Sequence, residues 1–428
     1  MITATLFGSL VLLLALGVPV AFAIGGATFA AMSIQGLPYI SLVQKLFTGI
    51  DSFPLMAIPF FLLAAELMTG GALAHVLLRF AAMFVGHRRG GLGHTNVLTI
   101  TFFSGISGSA LADAAGPGAI LIRMMRQSGY PPAYAAALTA SASIVGPIIP
   151  PSIIMIIYAL QDQRVSVLAL FWAGVIPGLM ISGVLLAYNA WISRRHNYRG
   201  EGGPPTLAEI VTTTWRALPA LFLPVVIVGG IHSGAFTPTE ASVVAVVYAL
   251  LVGRFVYGTL AWGMLPGILT RSALLTASVL LIVAMSSAFA WVLTYAQVPQ
   301  ALASWIGTLE LSPIAFLIGV NVLLLLFGIF IEPLPGVMVL VPILAPMAAA
   351  LGIDPVQFAI IVIVNLTMGL ITPPVGGLLF IVSLVARVPM SALSRALMPM
   401  LALQILVLLA LTLVPEISTF LPRLVGRH

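Results

Sequence analysis

Cysteine is absent from this 428-residue chain, and charge is scarce. Without cysteine there is no disulfide framework, no thiolate metal site and no cysteine nucleophile, while a count of zero says nothing about the redox compartment. Charged residues make up 7% of the chain, 17 basic and 11 acidic, where a soluble domain carries roughly 25%. So few charges cannot cover a soluble globule of this size. Disorder is excluded as well, because it needs low hydrophobicity and high charge, and here 61% of residues are hydrophobic, with a mean hydropathy of +1.18. A polytopic membrane protein remains.

Lysine is nearly missing too. Lys45 is the only one, and every other basic residue is arginine. No basic run exceeds Arg194-Arg195, so nucleic acid is not an expected partner. Residues 2–17 lack the basic start of a signal peptide, and apolar sequence continues to Met32. They read as a first membrane helix.

What is present is a set of apolar runs of membrane-crossing length. They lie near 18–35, 53–69, 167–192, 217–233, 238–257, 268–296 and 396–414, and residues 2–17 make a short first span interrupted by Gly17-Val18-Pro19. Four further runs are broken by Gly and Pro: 93–127, 132–160, 314–350 and 356–386. The long polar segment 193–209 reads as a linker between two halves.

The halves repeat. A shift of 223 residues superposes Gly105 on Gly328, Gly129 on Gly352 and Pro132 on Pro355. It also superposes Gly146 on Gly369, Pro150-Pro151 on Pro373-Pro374, and Arg164 on Arg387. Coincident Gly and Pro carry weight because each imposes a backbone requirement. The division is then 1–192, a first repeat with a pre-hairpin arm at 71–90, a hairpin at 93–127 and a broken helix at 132–160. A linker, 193–216, leads to a second repeat, 217–428, with an arm at 299–312, a hairpin at 314–350 and a broken helix at 356–386. Each arm is either an interfacial amphipathic helix or an ordinary connecting loop. The first carries His75, Arg79, His87, Arg88 and Arg89; the second carries Trp305 and Glu310.

Most arginines, among them Arg88, Arg123, Arg126, Arg195, Arg254, Arg271 and Arg387, fall on one side if each hairpin enters the membrane and returns. That side is cytoplasmic by the positive-inside rule. Lys45, Arg164, Arg423 and Arg427 are left on the other side. The first half then crosses an odd number of times, so the two halves are inverted relative to each other, the pattern of secondary transporters. The expected fold class is an all-α polytopic membrane protein of two inverted repeats with re-entrant hairpins and broken helices.

Chemistry concentrates where these segments break. Ser104-Gly105-Ile106-Ser107-Gly108-Ser109, followed by Asp113, interrupts the first hairpin. Hydroxyls and bare carbonyls are hard oxygen donors suited to an alkali cation; small residues also serve tight helix packing. Gly146-Pro147-Ile148-Ile149-Pro150-Pro151-Ser152 removes three N–H donors within five residues and must interrupt its helix. It frees carbonyls and opens a helix start that can face an anion. Glu332-Pro333-Leu334-Pro335-Gly336 holds the matching place in the second hairpin, with Glu332 on Ser109. A carboxylate in an apolar segment is a functional candidate by default; it can bind a cation, carry a proton or cap broken-helix amides. Asn365, Thr367, Gly369, Thr372, Pro373, Pro374, Gly376 and Gly377 form the second proline break. Thr237 or Thr239 is expected to cap a helix that starts at Pro238, with Glu240 in its first turn. His232 reads as a loop residue. HExxH and P-loop signatures are missing, so direct use of ATP is not expected.

At these residues the sequence resembles the large membrane subunit of TRAP (tripartite ATP-independent periplasmic) transporters, the DctM type. The matching stretches are SGISGSALADAAGPG at 104–118, GPIIPPSIIMIIY at 146–158, GAFTPTEAS at 234–242, FGIFIEPLPGVMVLVPILAP at 327–346 and NLTMGLITPPVGG at 365–377. Their order spans nearly the whole chain. The resemblance implies an elevator-type secondary transporter, like those of the ion transporter superfamily, in the bacterial cytoplasmic (inner) membrane, driven by a sodium gradient and not by ATP. It implies two protein partners, a small four-helix membrane subunit (DctQ type) and a periplasmic substrate-binding protein (DctP type), besides the lipid bilayer. The cargo it implies is an organic acid such as a C4-dicarboxylate or sialic acid.

Carried over residue by residue, the resemblance puts one sodium ion at Ser107, Gly108, Ser109, Gly146 and Pro150. The other falls at Glu332, Gly369, Thr372 and Pro373. Substrate contacts fall at Ser107, Ser109, Pro151, Ser152, Pro335, Asn365, Thr372 and Gly376. The alternative reading is a stand-alone carrier of related inverted-repeat fold, coupled to protons or sodium. An ion channel is disfavoured because two different tips give no symmetric filter ring. An intramembrane enzyme is disfavoured because no catalytic constellation is present.

Overall fold

The computed structural model describes residues 2–69, 73–198, 200, 203–308 and 311–426, and among them every regular element is helical. The chain opens with α1 (Ile2–Ala15), α2 (Val20–Gln35), α3 (Tyr39–Ile50) and α4 (Ala57–Thr69). The last two form one bent pair with an angle of 61°. Next come α5 (Leu73–Val85), α6 (Gly91–Ser107), α7 (Ala110–Ala115), α8 (Pro117–Gln127), α9 (Pro132–Ser143), α10 (Ile153–Gln161) and α11 (Val167–Arg195). The remainder comprises α12 (Leu207–His232), α13 (Pro238–Leu251), α14 (Leu265–Tyr295), α15 (Val298–Thr308), α16 (Pro313–Gly328), α17 (Pro333–Ala350), α18 (Pro355–Gly369), α19 (Gly377–Ala386), α20 (Met390–Leu413) and α21 (Glu416–Leu424). Six of the described helices are long and apolar enough to cross a membrane, or seven if the bent pair is one span.

Several boundaries follow from local chemistry. Thr237 caps α13, and Glu240 returns its carboxylate to the Thr237 backbone N–H at 2.8 Å, a reciprocal capping box. The same box at Thr206 and Glu209 starts α12 at Leu207, so the helix begins inside the segment expected to be linker. His232 is the last residue of α12 and packs edge-on against Trp172, in place of the expected loop position. The first arm is a helix, α5, with Leu73, Leu77, Leu78 and Ala81 buried and His75 and Arg79 on its exposed face. Trp305's side chain and Glu310, in the second arm, lie outside the described residues, as do Arg199, Glu201, Gly202 and Arg427. Helices α3 and α21 lie outside the apolar runs of the sequence.

The four broken segments meet at the centre of the structure, although α16 and α19 each keep an exposed apolar face. Helix α18 is buried on every face from Val356 to Gly369, and α9 is buried from Tyr134 to Ser143. A helix apolar all round has to be surrounded by protein or lipid. The two halves interleave there: α7 packs on α19, and α10 packs on α17. Arg164 adds a polar tie, chelating Asp162 through two bonds of 2.7 Å and donating to the Ala345 carbonyl at 2.8 Å. Around this core, α4 packs on α13 and α14, and α14 packs on α2 and α3. This outer group exposes many large apolar side chains, for example Leu207, Val211, Trp215, Phe222 and Val225 along one stripe of α12. Such a stripe faces lipid or another membrane helix.

Candidate functional site at the two hairpin tips

The first tip forms because α6 runs into Gly108, whose φ of 60° is left-handed and free of cost only for glycine. Ser109 then caps α7. Gly108 also lies against the first proline break: a Cβ there would stand 2.7 Å from the Pro151 carbonyl oxygen. Gly146 closes the contact from the other side, where a Cβ would meet Asp113 Oδ2 at 2.6 Å. Asp113 itself is completely buried. Ser104 donates to its Oδ2 at 2.9 Å and Ser107 donates to its Oδ1. A buried carboxylate survives only with such donors. Across the break, Ser152 donates to the Pro147 carbonyl at 2.5 Å and caps α10.

The second tip is built differently. α16 ends at Gly328, which meets Gly369 of the second break without side chains between them; a Cβ on Gly369 would stand 2.5 Å from Gly328 Cα. Glu332 occupies the N-cap of α17 but makes no side-chain cap bond. Thr372 donates to the Met368 carbonyl at 2.9 Å. Both double prolines, Pro150-Pro151 and Pro373-Pro374, have cis peptide bonds.

A cavity of about 360 Å³ joins the tips. Ser107, Gly108, Ser109 and Glu332 line it, together with Pro147 and Leu370 from the two breaks. Its far wall is α4, through Leu62, Ala65 and Glu66, and α14, through Leu275, Ser278 and Ile282. The remaining expected site residues stand behind this lining. Gly146, Pro150 and Pro151 back the first tip. Ser152 is buried on Pro147, and Pro335 and Gly369 are buried in α17 and α18. Thr372 and Pro373 are half-buried, and Gly376 is buried. Asn365 points into the seam between α18 and α16, donating to the Asn321 carbonyl at 3.0 Å and to its side-chain oxygen at 2.8 Å.

Sequence reasoning did not select two groups. Asp113 was seen within its motif but not placed in the site. Glu66 was passed over, although it is a carboxylate inside an apolar run and the rule that flags Glu332 flags it too. No group of three or more His, Cys, Asp or Glu residues occurs among the described residues. The donors at the tips are hydroxyls and carbonyls with two carboxylates, Asp113 and Glu332, of which only Glu332 lines the cavity; this is a hard set that suits an alkali or alkaline-earth cation and not a transition metal.

Residues 7–417 match the family described as "Tripartite ATP-independent periplasmic transporter, DctM component". The C4-dicarboxylate TRAP transporter large permease protein DctM of Pseudomonas aeruginosa is 44% identical over 90% of each chain. The isethionate TRAP transporter permease protein DctMQ of Oleidesulfovibrio alaskensis is 39% identical over 97% of this chain, which spans 65% of that longer relative. Among solved structures, the YdaH transporter of Alcanivorax borkumensis superposes with a TM-score of 0.65 over 88% of this chain and 87% of its own, at 16% identity, a likeness of fold. With the hairpins, broken helices and apolar spans in place, the chain is a multi-pass membrane protein that belongs to the DctM family of large TRAP transporter permeases.

Proposed function

We propose that this protein is the large permease subunit of a sodium-coupled importer of organic acid anions, working in the bacterial inner membrane by an elevator motion. One observation carries the reading. The shared cavity presents Glu332, which has no ion pair or side-chain hydrogen bond among the described residues, beside the serine tip. A carboxylate facing a site for an anion needs a cation between them. Sodium at Glu332, with Gly369, Thr372 and Pro373 framing it, supplies that charge; a second sodium fits Ser107, Gly108 and Ser109, with Gly146 and Pro150 behind. The substrate carboxylate then lies between the tips, against Ser107 and Ser109. Pro151, Ser152, Pro335, Thr372 and Gly376 shape the backbone around it, and Asn365 fixes the second break on its hairpin.

The interleaved core of hairpins and broken helices is the moving part of this reading, and the outer group α1–α4 with α12–α14 is the support. The two halves, 1–192 and 217–428, act as inverted repeats. Moving a monoanion with two sodium ions carries one net positive charge inward, worth about 2.3 kcal/mol per 100 mV. The relatives' names point to the partners, a small membrane subunit and a periplasmic binding protein. The exposed α12 stripe offers apolar surface either to that subunit or to lipid.

The experiment is uptake of labelled succinate, sialic acid and isethionate into proteoliposomes holding both membrane subunits, with the binding protein outside. Uptake that requires inward sodium and grows with a negative interior is expected. Uptake driven by a proton gradient without sodium would replace this reading with a proton-coupled carrier.

A further inference from the structure

Both walls of the cavity are mostly apolar, and each carries a carboxylate. The tip wall offers Ser107, Ser109 and Glu332; the far wall offers Ser278 and Glu66. Glu66 shares a face of α4 with Leu62 and Ala65, at the i, i+3 and i+4 spacing that puts residues on one helix face. Its carboxylate accepts the Nε–H of Arg271 at 2.9 Å. Arg271 is not itself part of the lining; its guanidinium reaches the cavity edge through this bond to Glu66, with the arginine side chain 56% exposed and Glu66 21% exposed.

We infer that Arg271 is the scaffold's receptor for the acid group of the substrate, and that Glu66 is a built-in competitor that holds the guanidinium until the acid takes it. The inference rests on the anion-transport reading above and adds the residue that handles the anion outside the tips. Three physical points support it. An anion in this cavity meets two carboxylates; a cation is proposed for Glu332, while Glu66 pairs with Arg271. A half-exposed ion pair is weak and exchangeable, because solvent and salt screen it. A guanidinium offers its donors in a planar fork that matches a carboxylate or sulfonate, which an ammonium does not. The ligand class is therefore a carboxylate or sulfonate, bound at the rim on its way between solution and the tips.

The bland alternative is a clasp between α4 and α14, and the sign of the effects separates the two. The test measures KM and kcat for uptake of succinate and of isethionate by the complete two-subunit complex in proteoliposomes, with thermal unfolding of each variant alongside. Arg271→Gln is expected to raise KM about tenfold. Glu66→Gln frees the guanidinium and is expected to lower KM and slow kcat, because release becomes harder. Arg271→Lys keeps the charge and loses the fork; it is expected to raise KM several-fold with unchanged unfolding temperature, which covers the case of Arg271→Gln failing to fold. KM shifts of the same sign in Glu66→Gln and Arg271→Gln, or normal KM in Arg271→Lys, would overturn the inference, as would saturable uptake of neither acid by the wild type. Sodium dependence of the wild type is read in the same assay. Its loss would overturn the coupling reading while opposite KM shifts still upheld the role of Arg271.

Discussion

The two hairpin tips start from one plan and place their carboxylates in opposite situations. Under the 223-residue shift Glu332 falls on Ser109, and Asp113 falls on Gly336. In the first tip Asp113 is buried, tied to Ser104 and Ser107, and packed on Gly146. It acts as a strut, satisfied within its own hairpin. In the second tip Glu332 faces the cavity without a cap bond, while the packing is done by two glycines in contact, Gly328 and Gly369. A repeated scaffold can thus keep its breaks while one copy ties its carboxylate into the structure and the other leaves it facing a cavity.

The largest effect expected from this contrast is on stability. Asp113→Ala leaves the buried Ser107 hydroxyl without its acceptor, while Ser104 keeps the Ile100 carbonyl, and it opens a cavity beside Gly146; together these should destabilise by about 3 kcal/mol, which thermal unfolding of the purified protein would show, and an unchanged midpoint would remove the strut. Glu332→Gln should leave unfolding unchanged yet weaken apparent sodium affinity by about 10–100-fold, the scale seen when groups that tune a metal site are lost. Equal stability loss in both variants would break the comparison. Gly369→Ala drives a methyl group against the Gly328 backbone and should cost about 2 kcal/mol; the unfolding midpoint checks it, and no loss would mean the second tip is looser than its geometry implies. The smallest effect belongs to a site away from the tips. Thr237→Ala removes the capping box of α13 and should cost about 1 kcal/mol without changing sodium affinity.

Much of this was legible because backbone breaks are written in Gly and Pro. Gly108, Gly146, Pro150-Pro151, Gly369 and Pro373-Pro374 mark the first hairpin and the broken helices in the sequence itself. The cap at Thr237 was readable from the same chemistry. The cap at Thr206 was equally written, as Thr-x-x-Glu, but polar composition around it suggested linker. Asn365 looked like a site residue because it precedes a break; a helix of uniformly apolar neighbours gives no clue to which face it occupies, and it turned into the seam with Asn321. Glu66 and Arg271 were hidden for another reason. They meet across 205 positions of sequence, and neither helix carries an amphipathic pattern to show that those faces converge.

The central claim is that the tips form sodium sites, and it can be tested without knowing the substrate. The chain, purified with its small subunit in choline buffer, would be unfolded thermally while NaCl or KCl is titrated. A ligand bound only by the folded state adds about 2.7 kcal/mol at 100 times its dissociation constant. The account predicts a saturable upward shift with sodium, absent with potassium and much reduced in Glu332→Gln. Equal small shifts with both salts, unchanged by that substitution, would contradict it.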